Sequence, residues 1–343
     1  MPMIRVALDA MGGDNSPQEI VKGAVEAVAK SKELKIILTG PEERLGEELS
    51  KYSYDKDRIC IEAASEVISL DEPPVAAIQK KKDSSIVKGL MLVKSGEADA
   101  FLSAGSSGAV LAGGQLKIGR IKGVERTPLA TLIPTETEPC LLLDCGANVD
   151  AKPQWLVQFA RMGQIYMEQV CGRKNPSVKL VNIGLEEEKG NLLVKETKPL
   201  LEKLKNMNYE GYIESREIPH HGADVVVTDA FTGNVILKLY EGTGSALIHA
   251  VKSGLMADLR TKIGALLIKP ALKKTLKKFD ASEHGGAPLL GLKALVVKCH
   301  GNATHKEICN GLLQCESFVK LGINDKISEA LLFDRRDAEA DAV

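Results

Sequence analysis

The stretch Ile4-Arg5-Val6-Ala7-Leu8-Asp9-Ala10-Met11-Gly12-Gly13-Asp14-Asn15-Ser16-Pro17 runs from a strand through a glycine turn into a helix start. The apolar run stops at Asp9, and the paired glycines follow it. Ser16 predicts an N-cap, Pro17 suits the first helical position, and Glu19 stands at capping-box spacing from Ser16. A helix that starts beside two glycines leaves backbone N–H groups and a partial positive charge open to an anion, while Asp9 and Asp14 can orient a cation, a hydroxyl or neighbouring amides. A phosphate-sized ligand is the expectation. Tight turns with glycine also form without any ligand, so the flanking acids and the cap carry more of this reading than the glycines do.

Working outward, the same theme of apolar run, short polar loop and helical pattern returns at residues 99–108, 140–148, 178–184 and 224–234. This alternation predicts an α/β fold with parallel strands, whose loops gather at the carboxyl edge of the sheet and converge on one cleft. Helices are expected at residues 17–31, 84–96, 153–170, 192–207 and 234–252. A chain of 343 residues exceeds the ~250–300 at which single cores stop growing. Two lobes are therefore expected, joined near residues 128–135 and 210–219.

Three loops carry chemistry. Ser103-Ala104-Gly105-Ser106-Ser107-Gly108 offers hydroxyls and close backbone approach at a helix start. Asp144-Cys145-Gly146-Ala147-Asn148 and Asp229-Ala230-Phe231-Thr232-Gly233-Asn234 each place an acid at a strand end and an asparagine near a helix. Neither GxGxxG nor GxxxxGK[ST] occurs, so no nicotinamide or P-loop nucleotide site follows from motif. Cys145 sits in a suitable loop for a thiol nucleophile, but no neighbouring base is apparent, and a packing role is the expectation. His220-His221, Cys299-His300 and the pair His305 and Cys309 do not have the spacing of a closed zinc site. His300, beside Gly301 after an apolar run, is the histidine placed best for proton transfer or phosphate contact.

Net charge is −1 and aromatics make up 4% of the chain, which argues against a nucleic-acid partner. Seven cysteines without a CxxC pair, no charged-then-apolar leader and no run of ~20 apolar residues predict a cytoplasmic protein. One segment is unusual. Over residues 255–279, Leu255, Leu259, Ile263, Leu266, Leu267, Ile268 and Leu276 alternate with Arg260, Lys262, Lys269, Lys273, Lys274, Lys277 and Lys278. This predicts a basic amphipathic pair of helices, broken at Gly264 or Pro270, that meets a membrane surface or a partner. The acidic tail at residues 334–341 is expected to be solvated.

Taken together, the opening residues 5–14, Lys81-Lys82-Asp83-Ser84-Ser85, the 103–108 loop, Gly119-Arg120-Ile121, residues 143–148, Asn182-Ile183-Gly184 with Lys189-Gly190-Asn191, residues 224–234, Gly285-Gly286-Ala287, Gly291-Leu292-Lys293 and His300-Gly301 resemble the PlsX family nearly end to end. The family loop usually reads Ser-Ala-Gly-Asn-Thr-Gly, whereas Ser106 and Ser107 stand here. Cys145 also departs from the family's apolar residue.

The resemblance implies a three-layer α/β/α sandwich similar to the isocitrate dehydrogenase and phosphotransacetylase fold, with a protruding amphipathic helical pair at residues 246–279. The lobes would comprise residues 1–127 with 280–343, and 128–279. It implies transfer of a fatty acyl group from acyl-acyl carrier protein to inorganic phosphate, giving acyl phosphate for phospholipid synthesis, with no metal or organic cofactor. A homodimer on the inner face of the cell membrane, handing product to a glycerol-3-phosphate acyltransferase, is the expected setting. Within that scheme Gly12, Gly13, Asp14, Ser103, Gly105, Ser106, Ser107 and Gly108 are expected to hold phosphate, with Asp9 and Asp229 in the catalytic set. Asn148 or Asn234 would donate to the oxyanion, and His300 or Lys298 would protonate the leaving thiolate. Lys81, Lys82, Arg120 and Arg126 would meet the acidic carrier, and Leu255, Leu259, Ile263, Leu266, Leu267 and Ile268 the membrane. A decarboxylating dehydrogenase of similar fold and a non-catalytic membrane-recruited scaffold are the alternatives.

Overall fold

Val6 and Leu8 face one side of the first strand, Ala7 faces the other, and all three are fully buried. A strand covered on both faces belongs in a parallel sheet between helix layers. The computed structural model describes residues 3–277 and 285–340. In chain order it runs β1 (Ile4–Asp9), α1 (Gln18–Lys30), β2 (Leu34–Gly40), α2 (Glu42–Leu49), β3 (Ile59–Ala63), α3 (Pro74–Lys80), α4 (Ser85–Ser95), β4 (Ala100–Ser103) and α5 (Ser107–Gly113). Next come β5 (Thr131–Ile133), β6 (Cys140–Leu143), α6 (Pro153–Gln169), β7 (Ser177–Val181), α7 (Leu192–Glu202), β8 (Asn208–Ile213), β9 (Val225–Val227) and α8 (Ala230–Leu255). The chain ends with α9 (Leu259–Lys277), β10 (Ala287–Pro288), β11 (Leu295–Lys298), α10 (His305–Leu321) and α11 (Ile323–Ala340).

The strands form two sheets, ordered β10-β11-β4-β1-β2-β3 and β5-β6-β9-β7-β8. Each is parallel apart from one antiparallel edge strand, β10 in the first and β5 in the second. These two edges lie together: Ala130 N donates to Pro288 O at 3.1 Å and Leu290 N to Pro128 O at 3.1 Å. One core continues through both sheets, from Val6 and Leu8 against α1 and α10 to Leu141 and Val225 under Phe159 of α6. The opposite face of the first sheet carries Ala7, Phe101 and Val296 under α3, α4 and α5. This is the α/β class that the alternating pattern predicts, arranged as the α/β/α sandwich that the family resemblance implies.

Several local expectations change. Ser16 does not cap α1: its hydroxyl donates to Met11 O and Gly13 O, and Glu19 turns away to accept His305 N–H at 2.6 Å. Tertiary partners thus replace the capping box. The helix expected at 192–207 stops at Glu202 because Asn206 takes a φ of 58° before β8 begins. The basic amphipathic segment breaks at residues 256–258 rather than at Gly264 or Pro270. There Asp258 accepts Thr261 N–H at 2.9 Å and starts α9 afresh, while Gly264 and Pro270 lie inside it. Lys278 and Phe279 at the end of that segment lie outside the described residues, as does Asp341 in the acidic tail.

The start of α8 packs Ile236, Leu237 and Tyr240 on the core of the second sheet, whereas its later turns and α9 leave Leu247, Leu259, Ile263, Leu266, Leu267 and Ile268 exposed, with Leu255 half-buried between them. No helix among the described residues is long and apolar enough to cross a membrane.

Candidate active site

The loops after β1 and β4 are held together by a buried carboxylate. Asp9 has no solvent exposure; its Oδ2 accepts Ser103 Oγ–H at 2.6 Å and its Oδ1 accepts Met11 N–H at 3.2 Å. Ser103 Oγ in turn accepts Gly105 N–H at 2.9 Å. A Cβ on Gly12 would overlap Asp9 Oδ2 and stand 2.6 Å from Gly105 N, so only glycine lets these loops touch. Burial pushes the Asp9 carboxyl above its ordinary range, against the pull of its hydrogen bonds. Asp9 therefore positions the loops from beneath. Gly13 adopts a φ of 89° and the Asp14 amide is taken by Gly301 O at 2.7 Å, which ties the first loop to the segment after β11.

Ser106 is buried and accepts Ala109 N–H at 3.4 Å, capping α5. Serine in place of asparagine at this position therefore keeps the helix cap, while Ser107 presents the exposed hydroxyl. Lys298, at the end of β11, is only 8% exposed. Its ammonium donates to Cys299 O and, at 3.4 Å, to Ala104 O; no carboxylate pairs with it among the described residues. Burial pulls its pKa below the usual lysine range.

The second sheet supplies the facing rim. Asp144, fully buried, accepts amides of Leu129, Gly146 and Ala147 on Oδ1 and both the backbone and side-chain N–H of Asn148 on Oδ2. Asn148 Nδ2 gives its other hydrogen to Thr127 O at 3.0 Å, so both its donors are spent and it does not stand ready for an oxyanion. Asp229 caps α8 through Thr232 N and Thr232 Oγ1, a positioning rather than a reacting role. Asn234 is exposed and gives one hydrogen to Cys145 O at 3.0 Å, leaving the other. Cys145 is buried, its thiol donates to Leu142 O, and burial holds it well above the ordinary thiol range. It packs; it does not attack.

Between the rims lies a narrow crevice with room for about one water molecule, a cavity volume of about 10 Å³, lined by Ser107, Leu111 and Lys298 on one side and Leu129, Gly146 and Ala147 on the other. It is mainly apolar, with one lysine at its base. A wider surface hollow beside Arg161 is remote from these loops, and the Arg161 donors are already taken by Asp334, Gln164 and the carbonyls of Lys205 and Asn206. His300 is exposed at the crevice side of β11, with Nε2 3.3 Å from Lys238 Nζ of α8. His220, His221 and His305 instead meet Glu136, Glu138 O and Glu19.

The four basic residues expected to meet a carrier divide. Lys81 is tied to Glu72 at 2.7 Å and Val67 O, Arg120 to Glu125 O, and Arg126 stacks 4.6 Å over Trp155. Lys82 is exposed. Sequence reasoning missed Lys238 and the organising role of Asp144. The first was legible only as a lysine one turn beyond Asn234, the second as the acid at a strand end.

Comparisons with known proteins give the family and the fold. The model of the family described as fatty acid synthesis protein matches residues 4–326. A phosphate acyltransferase of Clostridium novyi is 47% identical over 324 residues, covering 94% of this chain and 97% of that protein. One from Clostridium acetobutylicum is 48% identical, covering 95% and 98%. Among solved structures, the EutD phosphotransacetylase from Staphylococcus aureus aligns with a TM-score of 0.58 at 18% identity, covering 93% of this chain and 94% of its own. A branched-chain phosphotransacylase from Enterococcus faecalis V583 aligns at 0.55 and 15%, covering 92% and 99%. These structures show the phosphotransacetylase-like fold. Near-half identity to phosphate acyltransferases along almost their whole length makes this chain an acyltransferase, and it belongs to the PlsX family.

Proposed function

We propose that the protein moves a fatty acyl group from the thioester of acyl-acyl carrier protein to inorganic phosphate, releasing acyl phosphate for phospholipid synthesis. The observation that carries this reading is the crevice between the two sheets, apolar along its walls and based on the buried ammonium of Lys298. A phosphate oxygen attacks the thioester carbonyl, the carbon–sulfur bond breaks, and the carrier thiolate leaves with the electron pair. Much of inorganic phosphate is already dianionic near neutrality, so the protein needs to place it more than deprotonate it. Backbone amides around Gly12-Gly13 and residues 106–108, with the Ser107 hydroxyl, hold the anion, while the Gly105 amide is already taken by Ser103 Oγ; the spare hydrogen of Asn234 faces the developing oxyanion. Lys298, whose pKa burial lowers, is the better-placed proton donor to the thiolate; His300 is the second.

Lys82 is the exposed member of the basic set and meets the acidic carrier. The apolar and basic face of α8 and α9 supports both a homodimer contact and peripheral attachment at the inner membrane face. A glycerol-3-phosphate acyltransferase there would consume the product.

Incubation of the full chain with palmitoyl-acyl carrier protein and phosphate, with hydroxylamine trapping, tests the reading. Phosphate-dependent hydroxamate is the expected result. Folded protein that binds anionic vesicles but yields no product would make it a scaffold, and nicotinamide binding would favour the dehydrogenase alternative.

A further inference from the structure

Lys238 belongs to no loop that marks the crevice in sequence and does not line it, yet the fold brings it against His300, two residues after the crevice-lining Lys298. It lies one turn after Asn234 on α8, and residues four apart share a helix face. Asn234 holds the Cys145 carbonyl of the second-sheet rim, while Lys238 Nζ reaches across to His300 Nε2, 3.3 Å away on the first-sheet rim. Glu241 Oε2, 2.7 Å from the same ammonium, steadies it. Two of its three hydrogens are thus engaged, and the third is available. Because an ammonium only donates, its contact assigns His300 Nε2 as acceptor and places the ring proton on Nδ1. Lys298, at the base of the crevice, feels the Lys238 charge, as well as those of Asp9 and Glu307. The side chain of Lys238 is half exposed, so an anion can reach it without opening the core.

We propose that Lys238 is a second phosphate-binding cation, closing the mouth of the crevice opposite Lys298. The assignment deepens the acyl-transfer reading and rests on it for the identity of the anion. Two ammonium groups carried by different sheets then hold one dianion between them. Phosphate offers several acceptor oxygens, enough to meet both lysines while one oxygen faces the thioester carbonyl. Binding also draws α8 toward the end of β11, since each bears one of the two cations.

The test reads binding without turnover: thermal stabilisation of the full chain by inorganic phosphate, with no acyl donor, in wild type, Lys238→Gln and Lys238→Arg. A charge-assisted contact of this kind is worth roughly ten- to a hundred-fold in affinity. The phosphate concentration needed for a given rise in melting temperature is expected to increase by that factor in Lys238→Gln and to stay close to wild type in Lys238→Arg. Equal concentrations in all three chains, or a wild type that phosphate does not stabilise, would overturn the assignment. Failure of the acyl-transfer reading shows separately, as absence of hydroxamate from wild type. If wild type turns over while Lys238→Gln keeps its KM for phosphate, only the Lys238 assignment falls.

Discussion

Ser103 Oγ donates a 2.6 Å hydrogen bond to Oδ2 of Asp9, and both side chains are wholly shielded from solvent. The pair joins the ends of neighbouring parallel strands β1 and β4 at the rim where the glycine loops begin. The carboxylate gains hydrogen bonds there but loses water, and the loss dominates, raising its pKa.

That shift has a definite pH signature. A carboxyl whose folded pKa lies above its unfolded value of ~3.9 binds its proton more tightly when folded. Its contribution to stability is therefore fullest below ~3.9 and declines as pH rises through the folded value. Asp9→Asn removes this titration. Denaturant unfolding from pH 4 to 7 should show the wild-type stability losing ground relative to Asp9→Asn as pH rises; a difference independent of pH would refute the shift.

Two glycines of one helix separate packing from propensity. A Cβ at Gly233 would overlap the Asp144 carbonyl oxygen, whereas one at Gly242 meets nothing within 4 Å. Gly233→Ala should cost about 1–3 kcal/mol through overpacking and lower activity by displacing the Asp144 loop. Gly242→Ala should instead gain up to about 1 kcal/mol from helix propensity. Melting temperatures of the two variants check both signs.

The C-terminal helix is held by a buried guanidinium. Arg161 meets Asp334 through two hydrogen bonds of 2.8 Å. Asp334→Ala leaves that cation without its charged partner and should cost about 3 kcal/mol. The double variant Arg161→Met with Asp334→Leu should cost less than the single one. Urea titrations of both would show otherwise if the pair were merely superficial.

Carrier recognition through Lys82 predicts a salt effect. Lys82→Glu should lower the rate with acyl-acyl carrier protein at low ionic strength, by up to about fivefold for an exposed pair worth ~1 kcal/mol at most. The difference should shrink as salt is added. Lys81→Ala should act on stability instead, because Lys81 anchors Glu72 and Val67 O.

The α/β class, the strand-loop-helix junctions and the main helices were legible in the sequence, because burial on both faces of parallel strands writes continuous apolar runs such as residues 4–8, and helix periodicity writes itself into residues 153–169. What each polar residue does was decided only by the fold. Ser16 and Glu19 have the spacing of a capping box, yet Ser16 bonds within its own turn and Glu19 meets His305, nearly the full chain length away. Asn148 has the chemistry of an oxyanion donor, yet Asp144 and Thr127 consume both its hydrogens. Lys238 reaches His300 only because α8 of one sheet crosses the strand end of the other. Local sequence determines which backbone conformation is cheap; the partner that finally satisfies a donor, an acceptor or a charge comes from segments far away in the chain, and only packing brings them within reach.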